Sequence, residues 1–152
     1  AKLGLPYSFA SHFAPRMLDQ AIKLYRENFE PSEYLDRPYV SMGVPTVVAQ
    51  TDEEAEYLAT SAYQRVLGLM RGQSLKLKAP VETMEGIWSP AEKMSVDNFY
   101  AMGQVGSAET VKAGLEKLLE KYNVDEFIFT CDIYDTDKRI QNFELLMDIK
   151  NS

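Results

Sequence analysis

Apolar positions along the chain switch repeatedly between a short-run pattern and a three-to-four pattern, and the switches predict an alternation of strands and helices. Leu5 to Ser11 is short and aromatic-rich, bounded by Gly4-Leu5-Pro6 and by His12, and reads as a buried strand. Pro15 suits the first turn of a helix. Its stripe, Leu18, Ala21, Ile22, Tyr25 and Phe29, ends before Pro31. Tyr39 to Ala49 is again strand-like, and Pro45 inside it predicts a bulge, a bend or an edge position, because proline donates nothing to a ladder. Thr51 to Glu54 has capping-box spacing ahead of a stripe at Ala55, Leu58, Ala62, Val66 and Leu69, with Gly72 marking the end.

Residues 73 to 100 carry no clear period and contain Pro80, Gly86, Trp88 and Pro90, which predicts an irregular, packed, lid-like insertion. Ser107 is a candidate N-cap for a helix with Val111, Leu115, Leu118, Leu119 and Tyr122 inward. Phe127 to Cys131 is the last strand. A closing helix starts at Asp135 or Asp137 and turns Ile140, Phe143 and Met147 to the core. This order is that of crossover units, so the sheet is expected to be parallel and covered by helices. Three firm strands fall well short of a complete eight-stranded barrel. Residues 1 to 152 are therefore read as one domain, either a small open α/β unit or a piece of a barrel.

Composition narrows the partners. The net charge is −7, with no cluster of Lys or Arg, which argues against nucleic acid and anionic membrane surfaces. No apolar run has the length of a membrane span and no signal-peptide pattern opens the chain, so a reducing, cytoplasmic setting is expected. The chain opens on Ala1 almost directly before a strand, which predicts further sequence upstream. With Cys131 the one cysteine, neither a disulfide framework nor a multi-cysteine zinc site can form within the chain.

Few side chains have the pattern of a site. His12, the one histidine, ionises near neutral pH and stands where a strand passes into a helix, a place for chemistry or simply for a turn. Cys131 lies in an apolar strand and reads as a small core residue. Asp132, Asp135 and Asp137 lack the glycine and distal glutamate of a calcium loop, which leaves helix capping and no metal. Gly106-Ser107 at a helix start has the chemistry of a phosphate cradle and equally that of a cap. Tyr25, Arg26, Phe29 and Tyr34 suit core and rim, and Trp88 in the insertion suits either a ligand lid or an anchor for the loop.

The stretches LGLPYSFASHFAP, AIKLYRENFEPSEYLDRPYV, VVAQTDEEAEYLATS, IWSPAE, VDEFIF and FELLMDI together resemble the C-terminal part of the bacterial luciferase-like, flavin-dependent monooxygenases, and more closely their single-chain, alkanal-monooxygenase-like branch. The resemblance covers essentially the whole chain. It implies a TIM-type (β/α)8 barrel of which this chain supplies about strands six to eight, with the N-terminal strands missing. It also implies reduced FMN delivered by a separate flavin reductase, and oxygenation by O₂ of an aldehyde or other small organic substrate. On that resemblance Ser11 and His12 lie at the barrel mouth as cofactor-binding residues, with His12 the catalytic candidate. Ser11 stands where the luciferase branch has an aromatic residue near the flavin ring, and Trp88 lies in a lid over substrate. A chain lacking the first strands is expected to be inactive alone, and to bind no flavin unaided. It would pair with its missing half or self-associate. The alternative is a non-catalytic flavin-binding relative or a structural half-barrel.

Overall fold

The computed structural model describes residues 1–11 and 17–151. The order is β1 (Tyr7–Ala10), α1 (Leu18–Glu27), β2 (Val40–Ala49), α2 (Asp52–Met70), α3 (Pro90–Phe99), β3 (Gln104–Ser107), α4 (Ala108–Tyr122), β4 (Glu126–Thr130) and α5 (Thr136–Asn151). All strand pairs are parallel and all involve β2: its first half pairs β1 and β4, its second half β3.

The pleat divides the sheet into two unlike faces. In register with Val40, Met42 and Val44 of β2 stand Tyr7 and Phe9 of β1 and Phe127 and Phe129 of β4. All seven belong to one core with Leu18, Ile22 and Tyr25 of α1, Val111, Leu115 and Tyr122 of α4, and Leu146 of α5. Burying each large apolar side chain there contributes about 1.5–3 kcal/mol. The alternate positions, Ser8, Ala10, Ser41, Gly43, Glu126, Ile128 and Thr130, form the opposite face. On it the β1 and β4 side chains are exposed. The sheet is thus parallel as expected, but over its first half helices cover only one side. Among the described residues the other side is roofed only at the C-terminal end, where α2 packs Ala55, Leu58 and Ala59 on Val47 and Ala49.

Side chains lock these layers. The Tyr25 hydroxyl donates to the Leu5 carbonyl at 2.9 Å and accepts the Tyr39 amide at 3.1 Å, joining α1 to the entries of β1 and β2. Arg26 donates to the carbonyls of Tyr122 at 2.8 Å and Asn123 at 2.6 Å, satisfying the C-terminal end of α4.

Pro45 sits at a break in the pairing of β2, an edge-like place as expected and without a bulge: the β1 ladder ends at Gly43, the β3 ladder begins at Thr46, and Pro45 is the last residue of the β4 ladder. Four other expectations change. The segment 73–100 is not irregular throughout, since α3 occupies its end. Ser89 Oγ accepts the Glu92 amide, Glu92 accepts the Ser89 amide, and Pro90 fills the first turn. Arg71 and these cap bonds hold the Glu92 carboxyl down at about 2. In α5 the inward residues are Asn142 and Leu146, whereas Ile140, Phe143 and Met147 are 53%, 42% and 54% exposed. In α4, Leu119 is exposed as well. β3, expected only as loop and cap, is a fourth strand.

Candidate functional site

Parallel α/β sheets present their chemistry at the C-terminal ends of the strands. Here that end is built from Ser11 after β1, Gly43 to Thr46 in the middle of β2, and Thr130 to Asp132 at the end of β4. Ser11 is fully buried, and its hydroxyl donates to the Gly43 carbonyl. That bond extends the β1 edge one residue past its ladder. The Thr46 hydroxyl reaches the Thr130 carbonyl at 3.4 Å and does the same on the β4 side. On the open face Ala10 and Gly43 stand side by side as a floor of small residues, Ile128 flanks Gly43 on its other side, and Thr130 stands one step further along, beside Pro45.

Three polar groups converge beside this floor. Arg65 of α2 grips Asp132 through Nε, 2.9 Å from Oδ2, and again through Nη2. Tyr100 lies against the same small cavity as Thr46, Thr130 and Asp132. Burial, with the Asp132 charge adding to it, pushes the Tyr100 phenol well above its ordinary value and keeps it a neutral donor. Burial likewise pushes the Cys131 thiol up, so it stays a thiol at neutral pH and packs with Val47 and Ile133 as expected of a small core residue.

The other sequence candidates separate. His12 lies outside the described residues. Asp135 caps α5, its carboxylate accepting the Lys138 amide at 2.9 Å, and Asp132 is the partner of Arg65. At the start of α4 the Ser107 hydroxyl accepts the Thr110 amide, and the Ser107 amide donates to Asp52 Oδ1 at 2.6 Å. The place a phosphate would take at that helix terminus therefore holds the protein's own carboxylate. The Ser107 amide holds Asp52 below the usual carboxylate range. Gly106 allows this: at φ +152° a Cβ would stand 2.8 Å from Asp52 Oδ1 and 2.8 Å from Thr110 Cβ. Gly106→Ala is accordingly expected to cost about 1 kcal/mol or more in urea unfolding.

Trp88 is half-buried against Tyr63, ring centroids 6.0 Å apart, in a cluster with Met84 and Val96, and Tyr63 in turn meets Tyr100 edge-on at 5.5 Å. Trp88 anchors the insertion, which is tied along α2 by Gln64 to the Ala79 carbonyl at 3.0 Å and by the Val81 amide to Thr60 at 2.9 Å. Sequence reasoning missed Arg65, Tyr100 and Asn142. Asn142 is fully buried in α5, where Oδ1 accepts the Val48 amide at 2.7 Å beyond the end of β4. No sequence signal marks any of the three, because each acts on a partner at least 32 residues away.

No family model matches the chain. It is 41% identical over 150 residues to a luciferase-like monooxygenase of Escherichia coli, a match covering 99% of this chain and 45% of that protein. With the Bacillus subtilis protein YvbT it shares 43% over 148 residues, covering 97% of the chain and 44% of YvbT. Among solved structures, apo-MsnO8 superposes with a TM-score of 0.79 at 22% identity over 98% of this chain and 46% of its own. Monooxygenase RslO1 from Streptomyces bottropensis gives a TM-score of 0.63 at 15% identity, covering 95% and 40%. Nearly all of this chain thus matches, in sequence and in fold, a little under half of proteins that include a luciferase-like monooxygenase.

Proposed function

We propose that the chain is the section of a flavin-dependent, luciferase-like monooxygenase that supplies about strands six to eight of a TIM-type barrel, in the alkanal-monooxygenase-like branch. The 41% identity to the E. coli luciferase-like monooxygenase carries this reading. In the whole protein the open face of the sheet lines the barrel interior, and the mouth lies at Ser11, Gly43, Thr130 and Asp132. Reduced FMN, delivered in the cytoplasm by a separate reductase, supplies two electrons when bound. One atom of O₂ enters the substrate, converting an aldehyde to its carboxylic acid, and the other leaves as water.

The residues present suit one wall of such a site. The small residues Ala10 and Gly43 admit a flat ring close to the backbone, Ile128 bounds that floor on the β4 side, and α2 roofs the adjoining end against water. Ser11 spends its hydroxyl on Gly43, so it fixes the floor and leaves the contact with the ring to its neighbour. To that neighbour, His12, we assign orientation of the ring or stabilisation of charge developing on the substrate. Two cations near this end, Arg65 and Lys138, are already held by Asp132 and Glu54, so the phosphate grip is assigned to the remaining part of the protein.

The test uses the full-length protein with a flavin reductase and a medium-chain aldehyde, reading acid formed. Acid is expected at a rate above that of free reduced FMN, and none from residues 1–152 alone. His12→Ala should lower the rate about ten- to a thousandfold with the melting temperature unchanged. Acid formation no faster than with free flavin overturns the reading.

A further inference from the structure

The small cavity beside Tyr100 and Asp132 lies beneath α2 and has room for about 10 Å³, that of one very small molecule. Pro45, Val47, Ala62, Val105 and the Tyr100 ring form its walls. Val47 and Ala62 are buried. Pro45 follows Gly43 by two residues on the same face of β2, about 7 Å at the rise of a strand, so the cavity adjoins the floor of Ala10 and Gly43.

A water molecule stays in so small a space only with two to four polar partners. Here the polar side chains at the rim are engaged elsewhere. The Thr46 hydroxyl reaches the Thr130 carbonyl at 3.4 Å. Asp132 is gripped by Arg65, and its side chain is 30% exposed, so solvent reaches the carboxylate from outside. The side chains of Pro45, Val47, Ala62 and Val105 offer carbon alone. A carbon-walled space of this size favours a small apolar molecule over water. Val105 and Tyr100 are only partly buried, which leaves them free to shift by the fraction of an ångström that a diatomic molecule needs beyond a water-sized space.

We propose that this cavity holds dioxygen beside the floor. The choice of occupant rests on the monooxygenase reading above, in which O₂ is the small, uncharged reactant that must reach the ring on that floor.

Occupancy is tested without flavin. Dissolved O₂ is paramagnetic and broadens the resonances of methyl groups near which it resides. In the full-length protein with labelled alanine and valine methyls, under O₂ pressure against nitrogen, Val47, Ala62 and Val105 are expected to broaden about threefold or more beyond Val111, which is buried in the opposite core. Val47→Ile, which adds one methylene to the wall, should remove the excess at Ala62 and Val105, and Ala62→Val provides a second filling should the first fail to fold. In protein loaded with reduced FMN the filled variant should react with O₂ about twofold or more slowly at unchanged FMN affinity. Broadening equal to that of Val111, an excess that survives filling, or an oxygen reaction that filling leaves unchanged overturns the proposal, even where acid formation upholds the flavin reading. A broadening excess that filling removes, in a protein that forms no acid, sinks the flavin reading and leaves oxygen binding standing.

Discussion

At micromolar concentration the isolated chain is expected to self-associate. Among the described residues β1 and β4 each pair only with β2, so each presents a second edge of unpaired amides and carbonyls. Between them lies the open face with Ile128 44% exposed, and on α5 the row Ile140, Phe143 and Met147 is bare. In proteins about twice as long, such as the relatives this chain matches, further sequence is available to cover these surfaces. Without it, a second copy is the nearest cover. The net charge of −7 opposes close approach, so association should strengthen with salt. Light scattering should show a mass above 17.3 kDa that grows with concentration. Ile140→Lys with Phe143→Glu should weaken the association about tenfold or more, since about 1.4 kcal/mol of lost burial is enough for that factor. A monodisperse monomer at high concentration with a cooperative melt would refute this.

Val44→Asp is expected to abolish cooperative folding. Val44 is fully buried at the centre of the sheet, between Phe129 of β4 and the helices α1, α4 and α5. Among the described residues no cation stands in that core to receive a carboxylate, and burying an unpaired charge costs several kcal/mol even after the surroundings relax. A domain ordinarily holds about 5–15 kcal/mol in total, and one with an open sheet face belongs at the low end. Urea titration followed by circular dichroism should show no sigmoidal transition for the variant. Val44→Ala, which removes volume without adding charge, should keep the transition and shift it by about 1–3 kcal/mol. A cooperative Val44→Asp transition near the native midpoint would place residue 44 outside the core.

The sequence read well where a signal is local. Strands at Tyr7–Ala10, Val40–Ala49 and Glu126–Thr130 and the starts of α2 and α4 lie within two residues of expectation, because apolar periods and Thr51 or Ser107 caps are properties of neighbouring residues. Helix α3 was equally legible in Ser89-Pro90-Ala91-Glu92, a capping box with proline in the first turn. Periodicity does not mark it, because only Val96 of that helix is buried and no apolar period follows the cap.

In α5 the period itself was ambiguous. The helix has apolar residues on two sides, Ile140, Phe143 and Met147 on one and Leu145, Leu146 and Ile149 on the other, so spacing alone cannot choose the inner face. Tertiary structure chose it. β4 stops at Thr130 while β2 runs on, the Val48 amide is left over, and Asn142 rotates inward to accept it.

What the sequence determined by itself is the parallel α/β class, the position of the strand ends and the likeness to luciferase-like monooxygenases, since these follow from residues close together along the chain. Only the tertiary structure decided that one face of the sheet stays open and that Pro45 falls where β2 changes partners. It also decided that Asp52 fills the helix terminus a phosphate would use, and that Arg65 and Tyr100 gather around Asp132. Each of these depends on groups far apart in sequence meeting across a sheet or a helix pair, where register and packing set the partner and composition does not.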